Sequence, residues 1–277
     1  MVGSTVESTK FPDVVLMSAD DVLFYVHSTV LRQHSQNEFN RLIPSPNPDN
    51  RESDAAKILQ ESSEVLNVLL HSLYGISCER FAPSFASLQQ TVKCMTTYGL
   101  DPQTYVSPSS HLYDLLLAQA PALPLPVYAL AAQFNLLSLA TATSSHLLAL
   151  DLSTISDEWS EQIGTLYLKK LFFLHLGRRE ALKRCLADPP RQHSPTDTCS
   201  MEDQRNLASA WITNASTFVW EGRVEVGVAV LEGTLTALGA TLHCSECKQT
   251  LQERVQEVVT RWALVKVLCH RCPACNS

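Results

Sequence analysis

The residues with the clearest chemical potential in this chain of 277 residues are its cysteines and one histidine. There are nine cysteines, and five of them crowd the C-terminal end at 244, 247, 269, 272 and 275. Cys244-x2-Cys247 and Cys269-x2-Cys272 carry the two-residue gap that lets neighbouring thiolates share a zinc ion. The stretch between them, Gln249–Leu268, is predicted as one helix, and about 20 helical residues span about 30 Å. Thiolates at its two ends cannot meet on one ion whose bonds are about 2.3 Å long. A different set fits. Met201–Trp220 and Val224–Leu238 are predicted helices, and running antiparallel they bring the start of the first beside the end of the second. Cys199 then lies near Cys244 and Cys247, with His193 close by in a proline-bounded loop. His193, Cys199, Cys244 and Cys247 have the donor types of a closed structural zinc site, and Cys185 is a fallback ligand. Two alternatives stay open. These are separate reduced cysteines beside a surface histidine, or a metal held by the tail Cys269-His270-Arg271-Cys272-Pro273-Ala274-Cys275 alone.

The elements that must position these residues follow from periodicity. Asp13–Met17 and Val22–Val26 are short β-branched and aromatic runs separated by Ser18-Ala19-Asp20-Asp21, which reads as a hairpin. Ser28 is placed to cap a following helix through Val30, Leu31, His34 and Phe39. Pro44–Asp54 reads as a loop and Lys57–Leu59 as a third strand. Helices are predicted over Val65–Tyr74, Phe85–Tyr98, His111–Gln119, Leu125–Phe134 and Leu136–Leu150, with loop over 100–110. Beyond Asp151 the pattern is helical, over Glu158–Leu174 and Arg178–Leu186, before the prolines of Asp188–Cys199. The expected class is α+β, mostly α: a small sheet with helical hairpins, then an all-α C-terminal region. The expected divisions are a disordered N-terminus at 1–10, a first domain at 11–150, a helical domain at 151–268 and a Cys-rich tail at 269–277.

Composition narrows the partners. A net charge of −7 and a pI near 5.7 give no electrostatic footprint for a phosphate backbone, so no nucleic acid is expected. The basic run Lys169, Lys170, Arg178, Arg179, Lys183 and Arg184 reads as a solvated helix face. No Asp, Glu, Lys or Arg occurs between Asp114 and Asp151, but prolines and polar residues interrupt that stretch well short of about 20 apolar residues. No membrane span is expected. Met1–Lys10 is polar and lacks the apolar region of a secretory signal. Reduced cysteines in the cytoplasm or nucleus are therefore expected. No GxSxG, P-loop, GxGxxG or HExxH motif is present, and an enzyme is not expected.

Several blocks carry a family likeness. They are Asp13-Val14-Val15-Leu16, Phe24-Tyr25-Val26-His27, Val30-Leu31 with Ser35 and Phe39, Glu61 to Leu66 through Leu69, Leu70 and Tyr74, and Tyr98-Gly99-Leu100. In this order they resemble the BTB/POZ domain over roughly residues 11–150. Tyr167-Leu168-Lys169-Lys170-Leu171 and Cys244-x-x-Cys247-Lys248 are similar to segments of uncharacterised fungal BTB proteins, which extends the likeness over nearly the whole chain. The resemblance implies a protein-interaction module that associates with itself or docks on a partner, cullin-type ubiquitin ligase scaffolds among them. It implies core places for Phe24, Val26, Leu31 and Phe39. Asp13 and His27 are a strand-end carboxylate and a satisfied histidine on one reading, and border a docking pocket for a partner on the other. The competing readings are a zinc-stabilised helical regulatory protein associated with transcription, and a hydrolase or transferase in the C-terminal helices.

Overall fold

A computed structural model describes residues 11–43, 56–220 and 225–265. The expectations for residues 1–10, for Pro44–Asp54 and for the tail at 269–277 lie outside the described residues. The chain forms two compact units, divided between Thr143 and Ser144. The expected domain limit, 150/151, lies a few residues further on.

The first unit opens with β1 (Val14–Met17) and β2 (Leu23–Val26), paired antiparallel with Leu16 opposite Phe24. The two residues of β3 (Lys57–Ile58) add in parallel, giving the order β2-β1-β3. Alternate side chains point to opposite faces of a strand. Leu16 and Val26 are accordingly buried while Leu23 and Tyr25 are exposed, and Phe24 is half-buried rather than in the core. The hairpin turn is also a helix clamp. Asp20 accepts hydrogen bonds of 2.6 Å from both the N–H and the hydroxyl of Ser63, at the start of α3 (Ser63–Leu73).

Three departures from the sequence expectation fall between residues 28 and 110. Ser28 is the first residue of α1 (Ser28–His34) and not its cap; its N–H and hydroxyl donate to the Asp13 carboxylate at 2.7 and 2.6 Å. Asp13 therefore takes over the acceptor role that helix N-termini require. The helix then stops at Ser35 instead of running to Phe39. The next turn, α2 (Glu38–Arg41), has φ between 52° and 60° at all four residues, the left-handed region. Such a turn is costly for residues with a Cβ, and its neighbours hold it. Ser35 Oγ donates to the Tyr98 carbonyl at 2.7 Å, Asn37 Nδ2 donates to the Thr97 carbonyl at 2.9 Å, and Phe39 stacks on Tyr98 at 4.4 Å. At Gly99 a Cβ would lie 2.5 Å from Asn37 Oδ1, so only glycine allows this approach. The third departure lies within 100–110, where α5 (Pro102–Tyr105) starts on Asp101, with proline at its first position.

The remaining helices of this unit are α4 (Phe85–Thr97), α6 (His111–Gln119), α7 (Pro124–Gln133) and α8 (Leu137–Ser144). α8 gives way to a 3-10 turn at Ser145 rather than reaching Leu150.

The second unit contains α9 (Asp157–Leu186), α10 (Met201–Trp220), α11 (Val228–Thr236) and α12 (Ser245–Ala263). The expected break near Gly177 is absent. The backbone kinks instead at Gly164, whose φ is +71°. A glycine inside a helix, as Gly177 is, costs about 1 kcal/mol, and burial of the apolar Leu171, Leu174 and Leu182 on the same helix offsets it. Of the basic run on α9, Lys169, Arg179, Lys183 and Arg184 are exposed, whereas Arg178 is buried. The core is built around Trp211, Leu231, Leu235, Val255, Val258 and Trp262. Among the described residues, no helix is long and apolar enough to cross a membrane.

Candidate metal centre

Four donors from three segments meet in the second unit. The Nε2 of His193 and the sulfurs of Cys199, Cys244 and Cys247 all lie within 4.8 Å of one another. Nε2 is 3.2 Å from Cys247 Sγ and 3.4 Å from Cys244 Sγ, and the sulfurs of Cys199 and Cys247 are 3.6 Å apart. A tetrahedral ion with bonds of about 2.3 Å to sulfur and about 2.0 Å to nitrogen requires edges of about 3.8 Å and about 3.5 Å. These three separations fall within about 0.4 Å of those edges, and the remaining pairs lie within 4.8 Å. Thiols are weak hydrogen-bonding groups, so hydrogen bonding alone gives little reason to converge three of them on an imidazole. The cluster can hold a metal ion such as zinc.

Each ligand is delivered by a local device. Cys199 closes a tight turn in which its N–H donates to the Thr196 carbonyl and the Thr196 N–H donates back, at 3.2 and 3.0 Å. The next residue, Ser200, starts α10: its N–H donates to Asp203 Oδ2 at 2.8 Å and its Oγ accepts from the Asp203 N–H at 3.2 Å. Such reciprocal pairing fixes a helix start. Cys244 is the N-cap of α12 and Cys247 sits in its first turn. The helix thus begins at Ser245, four residues before the expected start, and ends at Ala263 instead of Leu268. Cys244 supplies the non-helical cap residue and Arg178 takes up a carbonyl just past the far end, donating to Val265 O at 3.2 Å. The two-cysteine motif consequently wraps the positive end of a helix.

This placement sets the thiol chemistry. The N–H groups of Cys247 and Glu246 hold the Cys244 thiol below its ordinary range, with the neighbouring cysteines adding to the effect. Burial pushes the Cys247 thiol up to about 12, and a nearby thiolate adds to that rise. Burial also raises Cys199. Three crowded thiols cannot all ionise without a positive charge among them, which is what a divalent ion supplies when bound.

The imidazole of His193 is fixed from its far side. Nδ1 lies 2.8 Å from the Ser194 carbonyl and 3.3 Å from Glu246 Oε2, so its proton points away from the cluster and Nε2 is the donor. That carbonyl raises the pKa of His193, as do the charges of Cys244 and Glu246. The backbone N–H of His193 donates to the buried Gln204 Oε1 at 3.0 Å, which ties the loop to α10.

The four residues that the sequence nominated are the four that lie together, but sequence reasoning missed Glu246, Ser194 and Gln204. Glu246 had a signal, because it stands between the two cysteines of Cys244-Ser245-Glu246-Cys247. Gln204 had none: a helix glutamine is ordinary until its neighbour is known. The fallback Cys185 is buried in the helical core and is not one of the four donors that converge. Cys269, Cys272 and Cys275 lie outside the described residues.

The two candidate interaction residues of the first unit also have intramolecular partners. Asp13 holds Ser28, as described. The His27 N–H donates to the Tyr74 hydroxyl at 2.9 Å, and Nδ1 lies 2.8 Å from the same oxygen. The hydroxyl's own proton is then free to reach Nδ1. Asp13 is exposed and His27 half-buried.

Compared with protein-family models, curated proteins and solved structures, the chain matches none.

Proposed function

We propose that this chain is a non-catalytic protein-interaction protein, a BTB/POZ-type module followed by a helical unit closed by a structural zinc ion. The observation that carries the interaction reading is the outer face of the sheet. Leu23, Tyr25 and Ile58 are exposed on it, Tyr25 at 66% and Ile58 at 70%, beside half-buried Val15 and Met17. Contiguous apolar patches on a surface are typical of contact sites for other proteins. The residues that carry the family resemblance support it: Asp13 with Ser28, His27 with Tyr74, and Ser35 and Phe39 with Tyr98 are mutual partners although far apart in sequence. The test is sedimentation of the full chain, with capture assays against a cullin scaffold alongside a working adaptor control. Self-association or cullin binding that is lost in Tyr25→Glu/Ile58→Glu supports the reading. A monomer that captures no cullin, or binding indifferent to those substitutions, counts against it.

The zinc reading rests on the four converging donors. Four protein ligands fill a tetrahedral shell and leave no position for a substrate, so the ion's role is structural. Elemental analysis is expected to give one zinc per chain, with Cys199→Ser and Cys247→Ser each abolishing most of it and Cys78→Ala leaving it unchanged. Metal-free protein with the same melting behaviour would remove this part of the reading.

A further inference from the structure

We infer that Cys244 is an oxidation site, and that hydroperoxides release the metal of this cluster by joining Cys244 to Cys247. The inference rests on the zinc reading above and names a regulation of the same site.

Two observations carry it. First, a cavity of about 420 Å³ opens onto the cluster, and Cys199, Cys244 and Cys247 all line it together with Asp203, Leu207 and Leu242. Here a small neutral oxidant has a path to the sulfurs. Second, the cysteines are unequally covered: Cys244 is half-buried, while Cys199 and Cys247 are 2% and 3% exposed. Cys244, at the cap of α12, is therefore the least covered of the three cysteines, and the Cys247 sulfur stands within 4.8 Å of its own on the first turn of the same helix. A cap residue and the residue three further on can bring their Cα atoms within the roughly 4.4–6.8 Å that a disulfide needs. Cys78, Cys94 and Cys185 are buried and do not line the cavity.

The chemistry balances with a hydroperoxide as the named oxidant. The Cys244 thiolate attacks one oxygen of the peroxide; an S–O bond forms, the O–O bond breaks, and hydroxide leaves. The Cys247 thiolate then attacks the sulfenic sulfur, forming the S–S bond and expelling a second hydroxide. Two thiolates lose two electrons and the peroxide gains them, and the two hydroxides are protonated to water by the buffer. Two of the four donors are spent, and His193 with Cys199 alone do not retain the ion. The loop carrying His193 and Cys199 loses its tie to α12. Thiol reductants restore the donors.

The experiment uses the full chain as purified, with zinc content measured first. Hydrogen peroxide is added in the presence of a chromogenic zinc chelator, and the digested product is mapped by mass spectrometry. Trypsin cutting after Arg223 and Lys248 places Cys244 and Cys247 on one peptide, apart from all the other cysteines. Zinc release in step with loss of two mass units and of alkylation on that peptide is the expected result, reversed by dithiothreitol plus zinc. Protein that contains no zinc at the outset removes the zinc reading itself. Zinc-loaded protein that keeps its metal under peroxide overturns the inference and leaves the zinc reading standing. Release with a Cys199–Cys247 link, or with Cys244 still alkylatable, overturns it as well. Cobalt-loaded protein gives a second readout, because loss of the thiolate-to-cobalt absorption reports the same step without any mutation.

Discussion

At His193 the imidazole is used on both sides, with Nε2 toward the sulfurs and Nδ1 toward Ser194 and Glu246. A ligand held this way has one orientation and one tautomer, which lowers the entropy lost on metal binding. Partners of a ligating histidine typically change metal affinity by about 10- to 100-fold. Glu246→Gln is expected to keep zinc bound but weaken it at the lower end of that range, measured by competition with a chelator of known affinity. Here the backbone carbonyl of Ser194 shares the work, so a larger loss would mean that Glu246 is the dominant partner. Unchanged affinity would mean that the carbonyl alone orients the ring.

Among the elements, α9 and α12 cap each other. Arg254 on α12 is buried and donates to the carbonyls of Cys185 and Asp188 at 2.8 and 2.9 Å, where α9 ends, and to Glu257 at 2.6 Å. Arg178 on α9 answers at the other end, donating to Val265 and lying 4.5 Å from the Trp262 ring. Both cations sit at helix C-termini, where the dipole favours positive charge. The buried indoles are satisfied in the same way, Trp211 by the Leu186 carbonyl and Trp262 by that of Val226. Replacing Arg254 by methionine keeps most of the volume but strands those carbonyls, each worth about 1–3 kcal/mol when buried and unpaired. A loss of about 2–4 kcal/mol by urea unfolding is expected for Arg254→Met. Exposed Arg179→Ala is expected to change stability by less than about 0.5 kcal/mol. Equal effects would show that the capping contributes little.

For the whole molecule, two compact units imply two separable responses. Each has its own buried cluster, and the metal donors all belong to the second. Chelation is expected to lower one thermal transition, by about 10 °C or more, and to leave the other in place. A single transition that moves as one would mean that the units unfold together. Acid is expected to act on the first unit in a different pH window. Burial works against the Asp13 carboxylate, but the Ser28 hydroxyl and N–H more than offset it and hold its pKa below the usual carboxylate value. The hydroxyls of Ser63 and Ser18 bring Asp20 to about 2. Folded values below the unfolded value of 3.8 mean stabilisation that is complete above that pH and is lost as pH falls through the folded values. The first unit is therefore expected to weaken between pH about 4 and about 2. Asp20→Asn is expected to flatten that dependence in melting curves recorded across the range; an unchanged slope would assign the acid sensitivity elsewhere.

The types of most elements, and the limits of some, follow from local chemistry and were legible in the chain itself. His111–Gln119 and Met201–Trp220 appear with the bounds their periodicity predicts, and the hairpin sits where its turn residues put it. The cysteine spacing and the helix order were enough to nominate four donors, because thiolates at the two ends of a long helix cannot share an ion. What the sequence does not contain is the set of long-range partners. Asp13 caps a helix that begins fifteen residues later, and a left-handed turn at Phe39 is held by groups about sixty residues away. Gln204 and Glu246 become part of a metal centre only when α10 and α12 bring their first turns to the same loop. Periodicity and capping depend on neighbours within a few residues. The partners that satisfy a buried carbonyl, an imidazole proton or a strained backbone are chosen by packing, and packing exists only in the folded chain.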